Sequence, residues 1–215
     1  SLMASRAAAG MLAPFGECSE ADRFFRFCRE SLLQYPDFIK DLISISDIPV
    51  HLSMKGSLIP SSSLGNDWEK RIRFFREENI PHEIWSPVKC QQLAPALAES
   101  CGEVMWVGEG QVNNREMHDA LVAASRKLGV EILEKNVTGF IHDSSIVEAA
   151  VTSTLEVRSQ KFILASGSWS SQLGDALDVS LPLKPIKGQM CRVQVEDDQL
   201  DYTVHGLMTY IAPWR

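Results

Sequence analysis

Apolar residues fall at helical spacing early in the chain. Phe24, Phe25, Phe27, Cys28, Leu32 and Leu33 form one such run, and Phe38, Ile39, Leu42 and Ile43 resume it. Pro36 lies between them, so the pattern predicts a helix pair over residues 20–46, capped by Ser19, with Glu20 and Asp22 in the first turn. A strand-like stretch over 50–59 closes on the Pro60-Ser61-Ser62-Ser63 turn signal, and an amphipathic helix is expected over 67–78. Ser86-Pro87 reads as the capped start of a helix reaching Leu93. Val104 to Val107 and Gln111-Val112 read as the two arms of a hairpin, with Gly108 and Gly110 supplying positive φ in its turn. Asn114 is expected to cap a helix over 115–128 that Gly129 ends, with a short strand over 130–133 after it. Residues 146–151 and 155–157 alternate as a hairpin, and 161–165 reads as a buried strand running into Ser166-Gly167-Ser168-Trp169 and a further helix. Pro182 and Pro185 set off a last strand around 189–195.

Strands whose partners are this distant in sequence predict an α+β fold, with a mixed, largely antiparallel sheet and flanking helices. No internal repeat or low-complexity segment interrupts it. Forty-five per cent hydrophobic residues in 215 are enough for a real core. The net charge of -7 and the lack of any Lys/Arg run argue against nucleic acid as a partner. No apolar stretch approaches the roughly 20 residues that span a bilayer, so no membrane role is expected. The five cysteines are scattered, without metal or disulfide spacing, which predicts reduced thiols and a cytoplasmic location. Both ends read as cut: Ser1-Leu2 resembles a cloning remnant, and the chain stops in the strand-like run Thr209 to Arg215.

Three stretches carry candidate chemistry. Residues 4–14, ASRAAAGMLAP, place small side chains in a row, where backbone can approach a bulky ligand; an alanine-rich helix start is the bland alternative. In the apolar run ending at Ala165-Ser166-Gly167-Ser168-Trp169, a strand, a small-residue turn and a helix start would set backbone amides beside a nucleotide. The third, PIKGQM at 185–190 followed by YIAPW at 210–214, shows no chemistry on its face. The five histidines show no pairing that suggests a proton relay.

In this order, ASRAAAGML, ASGSW, PIKGQM and YIAP resemble the FAD-dependent glycine oxidases within the D-amino acid oxidase family. The resemblance implies a flavoprotein oxidase that passes a hydride from the α-carbon of glycine or another small amine to flavin, yields an imine, and returns the electrons to oxygen as peroxide. By the same resemblance Ala4, Ser5, Ala9, Gly10 and Met11 line FAD, Val137 or Thr138 meets the adenine, and Ala165, Ser166, Gly167 and Trp169 pack against the cofactor. Tyr210 would hold the substrate carboxylate, and Trp214 stands where the family has arginine. Residues 1–45 and 130–180 would be incomplete remnants of an FAD-binding α/β domain, and 46–129 and 181–215 a truncated substrate-binding domain. The pyrophosphate-binding Gly-x-Gly-x-x-Gly is not in the sequence, so the chain alone is expected to be inactive and without FAD. Apolar faces around Ala7, Ala8, Ala9 and Leu12 would favour a homo-oligomer. Two rival readings keep the fold: a dehydrogenase of the same family acting on a 2-hydroxy acid, proline or glycerol phosphate, and a non-enzymatic binding module.

Overall fold

The computed structural model describes residues 4–97, 99–143, 146–194, 200–206 and 209–213. These form two compact units, one of residues 1–130 with 190–215 and one of residues 131–189. Among the described residues, no helix is long and apolar enough to cross a membrane.

The larger unit opens with α1 (Ala4–Ala7), β1 (Met11–Leu12) and α2 (Pro14–Glu17). Next comes α3 (Arg23–Ser46), one unbroken helix where the sequence predicts two. Asp22 caps it, accepting from the Phe25 amide at 2.7 Å, so the cap is Asp22 and not Ser19. Pro36 stays inside because side chains on both sides of it are buried: Phe25 and Leu32 in one apolar cluster, Ile39 and Leu42 in another. Four such burials contribute about 1.5–3 kcal/mol each, which outweighs the ~3 kcal/mol that an interior proline costs.

The expected strand over 50–59 is two strands in different sheets, β2 (Leu52–Ser53) and β3 (Ser57–Pro60). Gly56 makes the break at φ 101°, where a Cβ would lie 2.3 Å from the Trp106 indole nitrogen. α4 (Ser61–Leu64), α5 (Trp68–Glu77), β4 (His82–Trp85) and α6 (Pro87–Leu93) follow, the last capped by Ser86 as expected.

β5 (Val104–Val107) and β6 (Gly110–Val112) are not hairpin arms. β5 lies in a five-stranded sheet of order β11-β10-β3-β5-β4, while β6 is the centre of a three-stranded sheet, β1-β6-β2. The chain changes sheet at Gly108 and Glu109, whose amides donate to the carbonyls of Pro81 and Val107 at 2.9 Å each. Neither Gly108 nor Gly110 has positive φ. α7 (Asn114–Lys127) begins one residue earlier than expected, because Asn113 is the cap and accepts from the amides of Arg115 and Glu116. β10 (Thr203–His205), parallel to β3, and β11 (Tyr210–Ile211), antiparallel to β10, complete the larger unit. The architecture is therefore α+β with mostly antiparallel sheets, as the sequence predicts.

In the smaller unit, β7 (Val137–His142), β8 (Val147–Thr152) and β9 (Glu156–Arg158) form an antiparallel meander that contains the expected hairpin, and α8 (Ser170–Asp175) follows a one-turn 3-10 helix at Gly167–Trp169. Residues 130–133, 161–165 and 189–194 are not strands, and Val195 lies outside the described residues. Ile163 is 93% exposed, and no described strand pairs with its segment. An apolar run without a partner's ladder has nothing to make it a strand.

Candidate functional site

The small-residue segment is tied down mainly through its carbonyls. Asn114, at the start of α7, donates from Nδ2 to the Ser5 carbonyl, and Arg115 Nε donates to that of Arg6 at 3.3 Å. The Arg6 side chain meets Asp119 and lies 3.2 Å from His118 Nδ1. Hydrogen bonds from Arg6 and then from His118 hold the Asp119 carboxyl below the usual carboxylate range. Ala9 is buried, and Gly10 turns the chain at φ 77°, where an added Cβ would sit 2.0 Å from the Val112 carbonyl oxygen. That close approach lets the Val112 amide donate to the Gly10 carbonyl at 2.8 Å and seats Met11 opposite Gln111 in the β1-β6 ladder. One polar atom here is orphaned: Asn114 is 5% exposed, yet its Oδ1 has no hydrogen-bond partner among the described residues.

Three residues given no role in the sequence reading, Glu109, Arg71 and Gln111, organise the rest. The Glu109 carboxylate is fully buried; Oε2 accepts from the amides of Phe15 and Gly16 at 3.1 Å each, and Oε1 lies 3.1 Å from His205 Nε2. Arg71 grips the same turn from its carbonyl side, donating to Phe15, Gly16 and Cys18 oxygens at 3.0, 3.3 and 2.6 Å. Burial pulls the Arg71 guanidinium below its ordinary range, opposed by the negative charge of its neighbours, Glu109 among them. Two residues on, Gln111 Nε2 donates to Ala9 O at 3.4 Å and Pro213 O at 3.0 Å, while its Oε1 accepts from Thr203 Oγ1 at 3.2 Å. Acidic and amide side chains at alternate positions of the run Val104 to Val112 were the available sign of a buried polar pair.

Tyr210, on β11 opposite His205, is exposed, and its hydroxyl donates to the Met190 thioether at 3.3 Å. A cavity of about 190 Å³ opens beside this hairpin, lined in part by His51, Lys55, Gln111, Asp201 and Pro213. The larger unit thus holds Ala4, Ser5, Ala9, Gly10, Met11 and Tyr210, with Gln111 linking the carbonyl of Ala9 to that of Pro213. Val137, Thr138, Ala165, Ser166, Gly167 and Trp169 are in the smaller unit. There Thr138 Oγ1 donates to Val151 O at 3.3 Å, Gly167 turns at φ 57°, and Trp169 is exposed. Trp214 lies outside the described residues.

A family model described as FAD dependent oxidoreductase matches residues 2–215. The bifunctional protein ThiO/ThiG of Trichormus variabilis is 30% identical over 99% of this chain and 32% of its own length. The glycine oxidase of Geobacillus kaustophilus is 26% identical over 98% of this chain and 57% of its own. A crystal structure of glycine oxidase from that organism superposes with a TM-score of 0.90 at 27% identity, covering 98% of this chain and 58% of that one. The chain therefore spans between a third and somewhat over half of the length of these relatives.

Proposed function

Because this chain belongs to the family of FAD-dependent oxidoreductases, we propose that a full-length enzyme containing it oxidises glycine or a similarly small amino acid to the imine, with oxygen as the final electron acceptor. The observation that carries the reading is the likeness to glycine oxidase along nearly the whole chain, at a TM-score of 0.90. The soluble interior of the cell, where glycine and oxygen meet, is its proposed place of work. In this reading residues 1–45 and 130–180 belong to the flavin side and 46–129 and 181–215 to the substrate side.

The residues present fit the flavin. Ala4, Ser5, Ala9 and Gly10 offer small or absent side chains, with a turn at Gly10 that admits no Cβ, and Met11 follows them on β1. Asn114 Oδ1, next to Ser5, is buried and without a partner among the described residues, an acceptor in want of a donor, and the flavin and its ribityl chain carry N–H and O–H groups of that kind. By resemblance, Val137, Thr138 and the turn Ala165-Ser166-Gly167 with Trp169, taken by themselves in the smaller unit, are also proposed as FAD contacts of the full-length enzyme. Bound there, FAD supplies the two-electron acceptor for the α-carbon hydride.

The chain's own contribution is to orient the substrate. The Tyr210 hydroxyl now rests on a thioether, a weak acceptor, so it turns at little cost to donate to a substrate carboxylate. Since that carboxylate is held alike before and during hydride transfer, the bond should act on KM more than on kcat. Losing one hydrogen bond to a charged group costs about 1.5–3 kcal/mol, so Tyr210→Phe in the full-length enzyme should lower kcat/KM for glycine by roughly ten- to more than a hundredfold. Steady-state peroxide assays decide it. Unchanged kcat/KM at normal flavin content would remove Tyr210 from the site, and a full-length protein that holds no FAD would overturn the whole reading.

A further inference from the structure

Glu109 and Gln111 stand two residues apart in the stretch that crosses between the two sheets of the larger unit, both buried, both with every side-chain oxygen engaged. Each grips the same two distant parts of the chain. Toward the N-terminus, Glu109 takes the amides of Phe15 and Gly16, and Gln111 takes the carbonyl of Ala9. Toward the C-terminus, Glu109 meets His205, and Gln111 meets Thr203 and the carbonyl of Pro213. Thr203 and His205 are the ends of β10; Tyr210 faces His205 across the β10-β11 ladder. Ala9 and Phe15 flank β1, which carries Met11 and is itself hydrogen-bonded to β6.

A buried carboxylate fixed by two amides cannot slide, because any shift strands a charge or a donor away from water. A buried carboxamide with three partners is equally committed. The small-residue segment and the Tyr210 hairpin are separated by some 200 residues of sequence, and these two side chains hold them in one register. Packing against Gly16 tightens the arrangement, since a Cβ there would lie 2.6 Å from the His205 ring.

We propose that Glu109 and Gln111 are positioning residues that set the distance between the flavin-facing segment and the substrate-holding Tyr210, and so the approach of the substrate α-carbon to the flavin. The inference rests on the function proposed above. It carries a kinetic signature different from that of Tyr210 itself: Gln111 acts through the Ala9 and Pro213 carbonyls and the Thr203 hydroxyl that it holds, so its loss should leave binding groups in place but misplaced, and kcat should fall more than KM rises.

The test uses the full-length FAD-loaded enzyme and the variants Gln111→Met and Thr203→Val. A misplacement near 1 Å costs about a hundredfold in rate, so Gln111→Met should lower kcat for glycine per bound flavin by tens of fold, with a changed flavin absorption band. Thr203→Val, which removes only the Oε1 partner, should shift kcat in the same sense by less, and it decides alone if Gln111→Met does not fold. A lower melting temperature with kcat and flavin spectrum per bound flavin equal to those of the parent overturns the inference and leaves the proposed function standing. An unsubstituted full-length protein that takes up no FAD overturns both, and that result is read before any variant is made.

Discussion

Substituting Gly10 by alanine tests how the small-residue segment is built. Two losses and one gain enter. The residue sits at φ 77°, in the left-handed region, which costs a residue with a Cβ about 1–2 kcal/mol. The new methyl would also lie 2.0 Å from the Val112 carbonyl oxygen, a backbone atom fixed in the centre strand of its sheet. It can be relieved only by parting β1 from β6, which lengthens or breaks the 2.8 Å bond from the Val112 amide to the Gly10 carbonyl, worth about 1 kcal/mol. Against this, alanine restricts the unfolded chain and returns about 0.4–1 kcal/mol. The net is a loss of roughly 1–3 kcal/mol, a sizeable share of the 5–15 kcal/mol that ordinary domains have. Urea unfolding followed by tryptophan fluorescence measures the total, and hydrogen exchange at the Val112 amide localises it. A variant with the parent's midpoint and a Val112 amide as protected as before would refute the account of this turn.

Glu109 should separate charge from hydrogen bonding. Glu109→Met strands the amides of Phe15 and Gly16 and should cost about 2–6 kcal/mol in a urea titration, whereas Glu109→Gln should cost far less, because its carbonyl can still accept from both amides while His205 changes tautomer to meet the new N–H; equal losses in the two variants would contradict this. Asp119 titrates below the usual carboxylate range because Arg6 and His118 hydrogen-bond to it, so the stability it contributes is complete above that range and is lost only as pH falls through its own depressed midpoint. An NMR titration that finds an ordinary midpoint for Asp119 would mean that Arg6 does not hold it in solution. Burial pushes the thiols of Cys18 and Cys90 up, so at mildly alkaline pH both should alkylate more slowly than the exposed Cys191, and mass spectrometry showing uniform labelling would argue against the packing described.

What the sequence alone determined is what depends on neighbours in the chain. The apolar stripe through Phe25, Leu32, Ile39 and Leu42, the Ser86 cap and the helix ended by Gly129 were legible because helical periodicity and capping are local. So was the hairpin of β8 and β9. The four ordered motifs were legible as well, and with them the family. Tertiary structure decided the rest. Pro36 remained within α3 because burial on both sides of it outweighed its local cost. Gly108-Glu109-Gly110 reads locally as a hairpin turn, yet it is where the chain leaves one sheet for another, since what Glu109 needs comes from Phe15, Gly16 and His205, each more than ninety residues away. Residues 161–165 have the composition of a buried strand and, among the described residues, no ladder to join. A buried polar side chain and a strand share this property: each is stable only when a partner elsewhere in the chain completes its hydrogen bonds, and a one-dimensional pattern records the need but not the partner.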